Sequence, residues 1–248
     1  TQNLLLDNDN LITNWCAANL LCVNSSKVLD LKFSLNTSNI DYHSNVKFLG
    51  IIVESGLNWT SHTTMISKKL ATGIFMLRML KGTVDLNILL HVYYAYIHSH
   101  LSYGTLIWGN HSSALMLFKL QKKAIRIMCN QTVSAHCKPL FLNLKILTLP
   151  SIYILQCLLF VKNNSQNFHL NLDLHDHNTR NKDLIVTKCC KYSKIQKNFS
   201  YMAVKLFNSI PKNIRHLELQ QFKSTMKRIL LSHSVYTVDE YFDIIKEF

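Results

Sequence analysis

Between Ser113 and Cys129 charge and apolarity separate onto two faces with the period of an α-helix. Lys119, Lys122, Lys123 and Arg126 stand at i, i+3, i+4 and i+7, which puts all four cations on one face. Leu117, Leu120, Ala124 and Met128 line the opposite face. In an extended chain, where sides alternate with period two, neither set would segregate. The same period recurs in Ile66, Leu70, Ile74 and Leu77 within His62 to Leu80, with Lys68, Lys69 and Arg78 off the stripe. It returns in Phe222, Met226, Ile229 and Leu230 within Leu219 to Leu231. With only 6 Gly and 3 Pro, the chain lacks the turn residues of a sandwich or barrel. The expected fold class is mainly α with a small β-hairpin.

That hairpin is expected between Asn45 and Trp59. Val46, Phe48, Ile51, Ile52 and Val53 supply β-branched and aromatic bulk, and Gly50 and Gly56 punctuate. Before it, Leu4 to Leu20 reads as a helix through Leu4, Leu5, Leu11, Ile12, Trp15 and Ala18. Val28 to Leu35 alternates moderately and suits a strand, and Asn36 to Ser44 is a polar loop. After it, Thr60 or Ser61 is placed to cap the helix ending near Leu80, with Gly82 as its C-cap. Asp85 starts a second helix to about Ser102 with Leu86, Leu90, Tyr93, Ile97 and Leu101 inward, and Gly104 to Asn110 is a break. Pro139 to Val161 gives two apolar helices parted at Pro150, a residue suited to a first helical turn. Lys162 to Lys182 is loop-like, Lys188, Lys191, Lys194 and Lys197 form a basic strip, and Phe199 to Ile210 is a helix ended by Pro211. The expected division is 1–60, 61–130 and 131–248.

Net charge is +13 and unevenly spread. From Asn58 to Leu172 eleven Lys and Arg face the single acid Asp85, a balance of 11 − 1 = +10. From Leu184 to Val238 ten bases face Glu218 alone. Such fields favour a polyanion, nucleic acid or an anionic membrane surface, and a generic solvated basic face is the plain alternative. Leu86 to Phe118 holds no Asp, Glu, Lys or Arg, but His91, His98, His100, His111, Asn87 and Asn110 interrupt it, so no membrane span is expected. Ile146 to Val161 reads as a buried helix. Seven Cys without paired spacing suggest reduced thiols and an intracellular protein. Thr1 to Asn10 is too polar for a signal peptide, and Thr1 is not a natural start, so a fragment is expected.

Candidate catalytic chemistry is thin. Asp7 and Asp9 sit in a polar stretch, and Asp239-Glu240 suits a helix start. Asp173 and Asp176 with His169, His175 and His177 follow no known ligand spacing. His91 and His98 lie two turns apart, roughly 10 Å, too far to share one ion. No P-loop, nucleophile elbow or paired C-x-x-C occurs. The residues read as a nucleic-acid-binding surface without an active site.

Several runs resemble one family in order along the chain. They are W-C-A-A-N-L-L-C-V-N-S-S-K (Trp15 to Lys27), V-K-F-L-G-I (Val46 to Ile51) and L-N-W-T-S-H (Leu57 to His62). S-H-L-S-Y-G-T-L-I-W-G (Ser99 to Gly109), L-Q-K-K-A-I-R-I-M (Leu120 to Met128), H-N-T-R (His177 to Arg180) and F-N-S-I-P-K-N-I-R (Phe207 to Arg215) follow. Together they resemble the reverse transcriptases, RNA-directed DNA polymerases, of jockey-like non-LTR retrotransposons. The resemblance implies a palm remnant with a primer-grip hairpin, a three-helix thumb bundle and a helical, basic post-polymerase region. It implies an RNA or DNA template–primer as partner, a missing N-terminal polymerase portion, and magnesium for the intact enzyme only. The family's Y/F-A-D-D motif lies upstream of these residues, so no catalytic aspartate of that motif is present and the chain alone is expected to be inactive. Lys27 matches a lysine placed to act as general acid towards the leaving pyrophosphate. Lys47, Phe48, Leu49 and Gly50 match the primer grip. Lys68, Lys69, Lys119, Lys122, Lys123 and Arg126 fall in the thumb, whose basic face tracks template–primer phosphates. The rival readings are a non-catalytic nucleic-acid-binding remnant and a helical interaction protein.

Overall fold

The structure, a computed structural model, describes residues 2–29, 31, 33, 45–173, 179–187, 190–192, 196 and 198–248, with the backbone alone for 2–9. It is mainly helical with one two-stranded antiparallel sheet, as expected. The chain falls into two compact units, Thr1–Leu57 and Asn58–Phe248.

In the first unit, α1 (Gln2–Ala18) ends before the expected Leu20, which lies beyond the helix at φ +56°. Of the apolar residues whose spacing marks this helix, Leu11, Ile12, Trp15 and Ala18 are exposed, Trp15 by 62%. Val28 to Leu35 was expected to be a strand, but its described residues Val28, Leu29, Leu31 and Phe33 carry none. A turn of 3₁₀-helix, Ser25–Lys27, closes with Val28 N–H donating to the Ser25 carbonyl. Among the described residues the segment has no neighbouring strand, and an unpaired strand leaves its backbone groups without partners. The polar loop Asn36 to Ser44 lies outside the described residues.

The hairpin forms where expected: β1 (Asn45–Phe48) pairs with β2 (Ile51–Glu54) in the register Asn45↔Glu54 to Phe48↔Ile51. Leu49 and Gly50 make the two-residue loop at φ +46° and +81°. Two positive φ values give the turn a twist that matches the strands, and they explain Gly50 by backbone conformation.

Among the described residues the regular elements of the second unit are helices. In α2 (Thr60–Leu80), Ile66, Leu70, Ile74 and Leu77 are buried as their spacing requires, and Gly82 follows at φ +87°. Neither expected cap forms: Thr60 and Ser61 lie inside the first turn, and the Thr63 hydroxyl instead donates back to the Trp59 and Thr60 carbonyls, each at 3.0 Å. The next helix is α3 (Leu86–Tyr93), a π-helical turn (Tyr94–His98) and α4 (Ser99–Ser102) in continuity. Its buried line is Leu89, Tyr93, Ile97 and Leu101. Leu86, expected inward, is exposed and Leu90 half-buried, because the wide turn shifts the phase of the residues before it. The expected break contains a helical turn, α5 (Thr105–Trp108), entered through Gly104 at φ +63°. Trp108 is fully buried there and donates to the Tyr103 carbonyl at 3.1 Å.

Then come α6 (Ala114–Met128), α7 (Lys138–Leu144) and α8 (Leu149–Asn163), with Pro139 and Pro150 in the first turns of the last two. Thr148 caps α8, accepting from Ser151 N–H at 3.2 Å. They are followed by α9 (Phe199–Asn208), α10 (Lys212–Arg215), α11 (Leu219–His233) and α12 (Val238–Ile245). The central helix is α8, buried on nearly every side, with α4, α5, α6, α9 and α11 packed round it while α2 packs along α6. The core therefore runs without interruption across residue 130. No single helix among the described residues is long and apolar enough to cross a membrane. Helices α7 and α8 together have the length, but they bend by 57° and α8 is the centre of the core.

Candidate nucleic-acid interface

Cations reach the surface from two helices that pack on each other. Lys68, Lys69 and Arg78 on α2, and Lys119 and Lys123 on α6, are exposed. Two residues four apart on a helix project in nearly the same direction, so Lys119 and Lys123 make one pair. The four-cation outer stripe expected on α6 does not form whole. The Lys122 ammonium lies 4.7 Å from the Phe118 ring centroid and 5.3 Å from that of Tyr236. Arg126 Nε–H donates to the Ala135 carbonyl at 2.8 Å. Both are half-buried, because aromatic faces and an open carbonyl take up their charge on that side of the helix.

Tyr236 gathers a second group. Lys138 Nζ lies 5.1 Å from its ring centroid and 3.2 Å from Glu240 Oε2. Glu240 also accepts from Tyr236 N–H at 3.1 Å, while Thr237 Oγ1 accepts from Glu240 N–H at 3.2 Å. Burial pushes the Tyr236 phenol up to about 12. Sequence reasoning missed this cluster, although the T-x-x-E run Thr237 to Glu240 carries the signature of a helix-start box. Asp239 and Glu240 do stand in the first turn of α12, the position expected for helix-start charge.

Three imidazoles line the α2 and α4 side. His98 is depressed by burial and then by the Lys227 charge, and its ring lies 5.1 Å from that of Tyr94. His62 and His100 are depressed by burial and then by Lys69.

In the first unit Lys27 closes the 3₁₀ turn, whose Asn24 side chain accepts from Ser26 N–H at 3.1 Å, and is exposed. Lys47 on β1 and Gly50 in the turn are exposed, as are Phe48 by 66% and Leu49 by 73%. Of the expected basic strip only Lys191 is described, and it is exposed; Lys188, Lys194 and Lys197 lie outside the described residues, as do His175, Asp176 and His177.

Among the described residues no three His, Cys, Asp or Glu side chains come together as a metal group. The 248 residues contain no Y/F-A-D-D run. The exposed lysines of α2 and α6 can supply phosphate contacts; the hairpin turn of the first unit, taken by itself, offers exposed apolar side chains and backbone groups. Comparison with known protein families, curated proteins and solved structures gives no match.

Proposed function

We propose that the chain is the C-terminal part of an RNA-directed DNA polymerase of the jockey-like non-LTR retrotransposon type, and that it binds template–primer duplex without polymerising alone. The observation that carries this reading is the ordered series of motifs from Trp15 to Arg215. On this reading 1–60 holds the end of the palm and the primer grip at Lys47 to Gly50, and 61–130 forms the thumb. Lys27 is the candidate general acid towards a triphosphate, and a group of that kind acts only when held against a substrate.

Support comes from Lys68, Lys69, Lys119 and Lys123, exposed on two helices that pack together. Since Lys122 and Arg126 lean towards protein partners and away from the Lys119–Lys123 pair, four is the working number of duplex phosphate contacts. Log K for a primed RNA duplex then falls against log salt with a slope of about −3.6. A gel-shift titration reads this directly, and no binding or a flat slope removes the proposal. The purified chain is expected to give no DNA synthesis on a primed RNA template with magnesium, because it carries no Y/F-A-D-D run to hold the metals such transfer needs. Robust extension would overturn that half of the reading.

A further inference from the structure

A cavity of about 340 Å³ opens where the α5–α6 turn meets the starts of α8 and α12. Half-buried Tyr236 supplies the accessible aromatic wall, Phe118 and Tyr153 being 5% and 1% exposed, and Asn110, His111 and Asp239 add polar edges. The volume falls at the small end of ligand sites, roughly 300–1,000 Å³, and an apolar wall with a few polar groups is their usual construction. Three features narrow the ligand. The rings of Phe118 and Tyr236 meet edge to face at 5.0 Å and both carry ammonium groups: Lys122 over each, Lys138 over Tyr236. Glu240 pairs with Lys138, whereas Lys122 has no carboxylate partner among the described residues, so local charge favours an anion. The only carboxylate on the cavity lining is Asp239, exposed, an acceptor for amino hydrogens and repellent to an anion within the cavity itself. A flat aromatic group with amino donors, tethered to an external anion, satisfies all three conditions.

We propose that this cavity takes one unstacked nucleobase bearing an exocyclic amino group, with its phosphate at Lys122 and Lys138. The proposal rests on the nucleic-acid reading and extends it from phosphate contact to base capture. Bases stack on aromatic side chains whatever their sequence, and a carboxylate adds preference for amino-bearing edges. Base and phosphate can come from a single strand or from a free nucleotide.

The test uses the full chain and fluorescence anisotropy with three short single strands of equal length: oligoadenylate, oligothymidylate and an abasic strand. Oligoadenylate is expected to bind roughly tenfold tighter than the abasic strand, with oligothymidylate between them. Leu115→Trp, at an exposed lining position, fills the mouth and is expected to bring oligoadenylate down to the abasic value with an unchanged urea midpoint. AMP measured by equilibrium dialysis separates the sources: binding assigns a free nucleotide, and binding of strands alone assigns single-stranded nucleic acid. Equal affinity of oligoadenylate and abasic strand, with a normal salt slope, overturns the cavity proposal and leaves the phosphate-contact reading standing. AMP binding without any strand binding keeps the cavity proposal and removes the polymerase reading.

Discussion

The side-chain amide of Gln121 donates to the Tyr93 hydroxyl at 2.8 Å and so joins α6 to α3 inside the core. The same amide donates to the Leu147 carbonyl at 2.9 Å, and its oxygen accepts from Leu149 N–H at 2.8 Å. Gln121 is fully buried, and this one side chain ties three segments at the start of α8. Gln121→Leu keeps the volume but leaves the Leu149 donor and Leu147 acceptor without their partner, at about 1–3 kcal/mol for each stranded group. A loss of roughly 3 kcal/mol in urea unfolding is expected, against about 1 kcal/mol for Tyr93→Phe. Wild-type stability in Gln121→Leu would sink this account.

The hairpin turn carries removable strain. Leu49 sits at φ +46°, a conformation that costs a branched side chain about 1 kcal/mol and that asparagine tolerates. Leu49→Asn is therefore expected to slow amide exchange in β1 and β2 roughly fivefold. Unchanged or faster exchange contradicts it.

Gly109 is fixed by contact. A Cβ there would stand 2.6 Å from the Thr105 carbonyl oxygen and 2.8 Å from Tyr153 Cδ2. That same carbonyl accepts Gly109's own N–H at 2.7 Å, so neither side can give way without breaking the turn. Gly109→Ala is expected to cost about 3 kcal/mol, a fall in Tm of roughly 5–10 °C by calorimetry. A shift under about 2 °C would show the packing to be looser than this.

Burial, and then Lys227, depress the His98 imidazole, so the folded chain holds it neutral where the unfolded chain, near pKa 6.5, already binds a proton. That contribution to stability is complete above about pH 6.5 and declines as pH falls, until the folded-state ring also protonates. His62 and His100 act in the same direction. Urea midpoints are expected to drop between about pH 7.5 and pH 5, and His98→Asn to flatten part of that slope. A midpoint that rises on acidification refutes the assignment.

Lys119 and Lys123 should separate from Lys122 by assay. Replacing the exposed pair with alanine is expected to reduce the salt slope of duplex binding by about 1.8 and leave the urea midpoint alone. Lys122→Met is expected to do the reverse, costing about 1 kcal/mol of folding stability through the Phe118 and Tyr236 faces. Equal effects of both changes on the slope would put Lys122 on the duplex-phosphate face with the other two.

What the sequence made legible is what local period controls. The buried stripes of α2, α6 and α11, the prolines opening α7 and α8, and the hairpin all follow from neighbours within a turn or two. What it hid depends on distant partners or on phase. Tyr236 lies more than a hundred residues from Lys122 and Phe118, so no local pattern shows the ring that draws that lysine off the cationic stripe. The turn at Thr105–Trp108 sits between glycines, where propensity argues against a helix and the burial of Trp108 decides otherwise. The trio meeting at Gln121 is equally invisible, since a lone glutamine on a helix reads as surface.

The π-turn at Tyr94–His98 leaves a mark of a different kind. Leu89, Tyr93, Ile97 and Leu101 recur every fourth residue, and on an ideal helix such a row drifts by about 40° at each step. The wide turn absorbs that drift by housing a surplus residue. Excising Ala95 would restore the ordinary four-three-four rhythm with the same side chains facing inward. A deletion at the π-turn is therefore expected to cost less than one elsewhere along the helix, since there the inward row keeps its phase.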